Sequence, residues 1–391
     1  MRNIRRRLKG WRLDRYIERR RHYLLLKRRK RRRTLNRTAT KVSYFKYLPE
    51  DSKFLMVVSK ARYVLKVGNS FLTCPNGSLI LKLPRIFDFE KNYSDSAHVI
   101  DIFRRALQAG RRISYINFEE VEEVSPACMM VFAAYADMWK MYAPNVKTKT
   151  QTWHPEVARR FSEIGFFKML GFPEPVNKGE DGQLKFMPIQ SSVVCLSKNV
   201  DVGHDSVYLQ KDLENFIGRS LEDVRMYDSV SEAIRNIWDH AYKGMKISRL
   251  PFKWWASVAY DRALNELRII VFDHGMGIPT TIKTSSTFSL YQRIINNWSE
   301  GARLYLAFER ERRKINRRAR SLVVGRGHGC PDIARLISAK DENMVRDGSS
   351  LSVISGRARY KLIGGTALRR GSKEDLSKKL QGTLIEWRIC L

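Results

Sequence analysis

Ser231-Glu232-Ala233-Ile234-Arg235-Asn236-Ile237-Trp238-Asp239-His240 is the most informative stretch of this 391-residue chain. Apolar residues at 230, 233, 234, 237, 238 and 241 recur at helical spacing. They predict a helix whose polar face carries Glu232, Asn236 and His240 at i, i+4 and i+8. A Glu and an Asn one turn apart suit a metal–nucleotide site. The Asn carbonyl is a neutral hard oxygen for Mg²⁺, leaving the other coordination positions to phosphate and water. The Glu can orient or deprotonate an attacking nucleophile. Alone, the same pattern is an amphipathic helix with an ordinary polar face.

Two further motifs follow in order. Leu267 to Phe272 alternates like a strand and ends in Asp273-His274-Gly275-Met276-Gly277-Ile278-Pro279. A strand-end carboxylate can accept a hydrogen bond from an adenine amino group, and Gly275 and Gly277 let the backbone turn sharply beside a flat ring. Then Gly325-Arg326-Gly327-His328-Gly329 leads into a helical run from Pro331 to Ser338. Glycines before a helix start free backbone N–H groups for phosphate oxygens, where the helix dipole also favours negative charge. Each of these motifs alone is common. His240, His274 and His328 fall one in each motif, without a Cys or carboxylate at ligand spacing, so packing roles are the better expectation.

Together the three motifs resemble the N, G1 and G2 boxes of the GHKL ATPases, a family that includes gyrase, histidine kinases and the ninety-kilodalton heat-shock chaperones. The resemblance spans about 205–391, and "VSEAIRNIWDHAY" is most similar to the first motif of the anti-sigma-factor serine kinases. It implies a Bergerat-type α/β sandwich, a mixed sheet with helices on one face, binding ATP and Mg²⁺. Glu232 would be the general base, Asn236 the Mg²⁺ ligand and Asp273 the adenine anchor. Gly275, Gly277, Gly325, Gly327 and Gly329 would form nucleotide-contacting turns, with Arg326 beside the phosphates. Thr383, in Gly382-Thr383-Leu384, matches the residue that supports the adenine-binding Asp. The stretch Thr280 to Val324 corresponds to the family's ATP lid. It is rich in arginine (Arg303, Arg310, Arg312, Arg313, Arg317, Arg318, Arg320), suited either to phosphate neutralisation or to a solvated helix face shared with Glu309 and Glu311.

Upstream, short runs at Phe54 to Val58, Tyr63 to Val67 and Leu79 to Leu83 predict strands. Helices are expected around Val99 to Leu107, Pro126 to Tyr142 and Pro155 to Leu170, alternating with strands at Ile113 to Phe118 and Val146 to Thr150. "YINFEEVEEVSPACMMVFAAYADMWK" followed by "HPEVARRFSEIGFFKMLGF" resembles a STAS domain. Its signalling members carry a phosphorylatable serine at a helix start, where this chain has Ser125-Pro126-Ala127-Cys128. Proline and alanine replace the acceptor, so a helix cap is the expected role of Ser125. The resulting division is a basic arm over 1–49, a STAS-like α/β domain over 50–175, a Gly- and Pro-marked linker over 176–204 and the ATP-binding domain over 205–391. The overall class is α/β with α+β.

Composition supplies the remaining expectations. Lys and Arg number 73 against 40 Asp and Glu, and residues 1–37 alone hold 18 of the 73 against Asp14 and Glu18. Such an arm with interleaved Trp11, Tyr16 and Tyr23 is either a solvated tail or a phosphate-contacting, nucleic-acid-binding segment. Five scattered cysteines without a Cys-x-x-Cys pair fit a reducing compartment. No apolar run approaches a membrane span, and Tyr23-Leu24-Leu25-Leu26 is too short for an export signal, which predicts a cytoplasmic protein. His204-Asp205-Ser206 lacks the pattern that follows a histidine kinase's phosphoacceptor. Two functions remain: an ATPase or serine/threonine kinase acting on a protein partner, or an ATP-responsive binding switch without turnover. Homodimerisation is open.

Overall fold

A computed structural model describes residues 65–66, 71–73, 79–109, 113–141, 153–175, 182–194, 214–217, 224–245, 250–284, 295–318, 329–338, 348–364 and 371–391. The architecture is mixed α+β. The chain divides into two compact units, Met1–Leu81 with Arg111–Ser114 and Lys82–Gly110 with Tyr115–Leu391. In the first, β1 (Leu65–Lys66), β2 (Phe71–Thr73) and β3 (Leu79–Lys82) form an antiparallel meander, with the start of β5 (Ile113–Asn117) next to β3. The basic arm and the strands expected at 54–58 and 146–150 lie outside the described residues. No described helix is long and apolar enough to cross a membrane.

The second unit begins with β4 (Ile86–Phe87), which pairs in parallel with β6 (Glu123–Val124). Around this pair lie α1 (Tyr93–Gln108), α2 (Pro126–Lys140), α3 (Pro155–Glu163) and α4 (Phe166–Leu170). Ser125 caps α2, its Oγ accepting the Cys128 N–H at 3.3 Å, and Pro126 opens the first turn. Every residue of α2 from Pro126 to Ala136 is buried, so this part of the helix has no solvent face and must be enclosed on all sides. On one side Phe132 meets Phe87, Phe103 and Phe118 in an aromatic core extended by Trp153, Phe161 and Phe166. The single helix expected over 155–170 is instead two, because Gly165 adopts a left-handed conformation (φ 78°) between α3 and α4.

The other side of α2 rests on a six-stranded sheet. β7 (Leu184–Phe186), β8 (Gln190–Val193), β9 (Lys253–Asp261), β10 (Glu266–Asp273), β11 (Ser350–Ile363) and β12 (Ser372–Cys390) assemble in the order β11-β12-β10-β9-β7, with β8 also on β9. All the pairings are antiparallel, which corrects the expected mixed sheet. The chemistry is local: β9 and β10 join through a short turn in which Asn265 takes a positive φ of 50°, a connection that only antiparallel neighbours allow. β7 and β8 fall within the expected linker. Their Pro188 and Gly182 mark turns and strand ends in a stretch otherwise paired to the edge of β9.

Both sheet faces are covered, one by helices drawn from 224–338 and the other by helices drawn from 93–140. Trp254, Ala256, Val258, Leu267, Ile269, Val271, Ile385 and Trp387 point into one core with α5 (Val224–Asn236), α6 (Ile278–Thr284), α7 (Glu300–Arg318), α8 (Cys330–Ile333) and α9 (Arg335–Ser338). On the opposite face α1 packs on β12 and α2 on β9 and β10. There Tyr135 lies 6.0 Å from the ring of Phe272, and Asp137 takes hydrogen bonds from Lys253 and from Trp255 Nε1 (3.0 Å). The stretches expected as separate domains on either side of 176–204 therefore share one packed body.

Candidate functional site

Three pieces of chain, tied one to the next by hydrogen bonds, lead from the start of α8 through α5 to the end of β10. The first is α5, whose Val230, Ala233 and Ile234 are buried in the core beneath the sheet together with Ile237 just beyond it. Glu232 is 7% exposed and Asn236 half-buried. The Asn236 amide donates to the Glu232 carbonyl at 3.0 Å and lies 3.5 Å from Glu232 Oε1. After Asn236 the helix widens into a π-helical turn, Ile237–Ala241. That change of pitch carries His240 to an exposed position, so the expected i, i+4, i+8 row ends at Asn236.

The second piece is the start of α8. Gly329 has φ 68°, and a side chain there would lie 3.6 Å from Asn236 Oδ1. Its backbone also hydrogen-bonds the Glu232 carboxylate. Burial raises the Glu232 pKa, opposed by the nearby Arg235 guanidinium at 3.4 Å and by the Gly329 bond. Ser229 Oγ donates to the Asp332 carbonyl at 2.8 Å, locking α8 to α5. Thus Gly329, distant in sequence, is brought to the same spot as Glu232 and Asn236.

The third piece is the β10 terminus and the turn after it. Asp273 sits in register between Trp254 of β9 and Thr383 of β12, and it is 2% exposed. It accepts the Gly275 N–H at 2.7 Å and hydrogen bonds from the side chain and backbone of Thr383. Burial nonetheless pushes its pKa up to about 7, because those donors offset only part of the desolvation. The turn beyond passes very close to its neighbours. A Cβ on Gly275 would fall 2.3 Å from the Ala241 carbonyl oxygen, and Met276 N–H donates to that same oxygen at 2.8 Å. The end of the π turn therefore carries the strand-end turn, which ties α5 to Asp273. Gly277 takes φ 83°, with its α-carbon edge against Ser355. Gly382 takes φ 92°, and any side chain there would collide with the Asp273 carbonyl.

His274 is 3% exposed, its Nε2 2.6 Å from the Pro251 carbonyl and its ring packed near Tyr242 and Trp255. Burial lowers its pKa to about 4, so it is a neutral packing residue. Arg303 is also structural: it is 6% exposed and its guanidinium donates to the Trp298 carbonyl. Gly325, Arg326, Gly327 and His328 lie outside the described residues, as do the side chains of the lid arginines from Arg310 onwards.

Ser355 was not anticipated. It is fully buried, accepts the Ile278 N–H at 2.9 Å, lies 3.0 Å from Thr383 Oγ and donates to the Gly382 carbonyl at 3.1 Å. One hydroxyl thus holds together the turn after Asp273 and the Gly382-Thr383 bend. The available signal was Gly356 inside an otherwise continuous strand pattern, which marks a bulge, and β11 is irregular at Ser355/Gly356. The described residues include no group of three His, Cys, Asp or Glu arranged to hold a metal unaided. No family model matches the chain, and a search of the curated proteins returns no match.

Proposed function

We propose that the second unit binds Mg²⁺–ATP in the manner of the GHKL ATPases, with the six-stranded sheet and its α5–α9 layer serving as a Bergerat-type sandwich. The observation that carries this is the convergence of Asp273, Thr383 and Gly275 at one strand end, joined through Ala241 to the helix that bears Glu232 and Asn236. Asp273 would accept the adenine amino hydrogen, with Thr383 and Ser355 fixing its carboxylate. Asn236 Oδ1, beside the backbone of Gly329, is a neutral hard oxygen suited to Mg²⁺. The metal, when bound, neutralises the phosphate oxygens. Glu232 is suited to take a proton from an attacking water or hydroxyl, since partial burial makes its carboxylate more basic than one in water. Gly325, Arg326 and Gly327 would complete the phosphate turn.

The reaction proposed is ATP hydrolysis or phosphoryl transfer to a protein hydroxyl, in a cytoplasmic regulatory role. The α1–α2 layer is read as STAS-like, with Ser125 spent as a helix cap rather than offered as a phosphoacceptor. A binding switch without turnover is the second reading. It is favoured by the ion pair of Glu232 with Arg235 and by the basic arm, in which the 18 cationic residues of 1–37 suit a nucleic-acid backbone. Turnover of radiolabelled ATP by wild type and Glu232→Ala, with and without DNA or RNA, separates the two. Mg²⁺-dependent turnover that disappears in the variant supports the enzyme. Binding by both proteins with turnover by neither supports the switch.

A further inference from the structure

The N-terminal half of α7 is bolted to the β11–β12 hairpin. Asp375 Oδ1 accepts the Gly301 N–H at 2.7 Å, Glu300 accepts the Arg357 N–H at 2.5 Å, and Phe308 stacks on Tyr360 with centroids 4.5 Å apart. Beside these contacts is a cavity of about 550 Å³, open to solvent on one side. That volume suits a small molecule rather than a solvent dimple. Its walls are Trp298, Tyr305, Leu306 and Ala302, and Trp298 is 40% exposed, unusual for so large an apolar ring. Two charged groups among the described residues border it, and they differ in what they hold. Glu309, 4% exposed, already accepts the Tyr360 hydroxyl (2.9 Å) and the Gly371 N–H (3.0 Å). Lys373 instead places its ammonium 5.9 Å over the Tyr305 ring, and among the described residues no carboxylate pairs with it.

Two aromatic walls, an aliphatic floor and, among the described residues, a single cation without an acidic partner fit one kind of guest. We propose that this cavity binds a small amphipathic monoanion, an aromatic or aliphatic carboxylic acid whose body lies between Trp298 and Tyr305 and whose carboxylate pairs with Lys373. A phosphate-rich ligand is disfavoured because, among the described residues, Lys373 is the sole cation in the wall. The apolar body supplies most of the binding and the charge pair fixes its orientation.

Calorimetric titration with 2-naphthoate and its neutral isostere 2-naphthamide tests the site in the full chain without nucleotide, so the outcome does not depend on the ATP-binding proposal. Wild type is expected to bind 2-naphthoate with affinity about tenfold above that for the amide, a preference that Lys373→Met abolishes. Ala302→Trp, which fills the cavity from α7, is expected to abolish binding of both ligands, with circular dichroism confirming that each variant is folded. Absence of naphthoate binding by wild type, equal binding of acid and amide, or unchanged affinity in folded Ala302→Trp overturns the proposal.

Discussion

Asp273 concentrates the chemistry of the proposed site, because its carboxyl lies buried at a pKa of about 7 instead of the usual 3.8. The folded chain therefore holds this proton through a range where the unfolded chain has released it. Its contribution to stability is fullest below the usual carboxylate range and is lost as pH rises through about 7. Asp273→Asn should flatten that fall in urea unfolding measured between pH 4 and pH 8. Nucleotide binding should move the other way. An adenine amino group donates to the ionised carboxylate, so affinity should rise from pH 6 to pH 8 and level off, with the slope absent in Asp273→Asn. Ser355→Ala should lower stability by about 1–3 kcal/mol, because it leaves the Ile278 N–H without its buried acceptor. Thermal denaturation checks this, and an unchanged midpoint would contradict the role given to that hydroxyl. Glu232, Asn236 and Asp273 were legible from residue type and spacing. Ser355 was not, since a serine inside a strand signals nothing until the register sets it opposite Thr383.

Between elements, the decisive joint is the Ala241 carbonyl, which accepts Met276 N–H while Gly275 passes within reach of it. Gly275→Ala places a methyl carbon 2.3 Å from that oxygen. The turn must move, and the adenine side of the site must separate from the helix carrying Asn236. ATP affinity should drop by at least an order of magnitude, about 1.4 kcal/mol, in a protein whose circular dichroism is unchanged. Wild-type affinity in this variant would show that the joint is not needed. Asp137→Ala offers a contrast at the opposite sheet face. It removes the acceptor shared by Lys253 and Trp255 Nε1 and should cost about 1–3 kcal/mol of stability with ATP affinity retained. Helix spacing and the alternation of β10 made these elements visible in the sequence. The π turn was not visible, because Ile237 to Ala241 fits an ordinary helical period equally well. The split of 155–170 at Gly165 also escaped, since glycine is tolerated within helices until a left-handed φ is known.

At the scale of the molecule, the main surprise is the second face of the six-stranded sheet. Trp255, Ile270, Phe272 and Leu384 are buried, with α1 and α2, which lie far upstream in the chain, packed on that face. Loop composition over 176–204 suggested a boundary there. The long-range pairing of β7 and β8 with β9 has no short-range signature. A chain beginning at residue 205 should therefore expose this apolar face and lose two edge strands, giving aggregation or loss of cooperative unfolding on size exclusion and thermal melts. A monodisperse, cooperatively folding 205–391 fragment would contradict the shared body. The central claim is that one strand-end carboxylate selects adenine for a magnesium site assembled by α5. The most direct test is isothermal titration of wild type and Asp273→Asn with ATP and GTP, each with Mg²⁺. ATP alone should bind wild type, because guanine presents a carbonyl oxygen where adenine presents its amino group, and the variant should bind neither well. Equal affinity for ATP and GTP, or ATP binding unchanged by Asp273→Asn, would contradict the account.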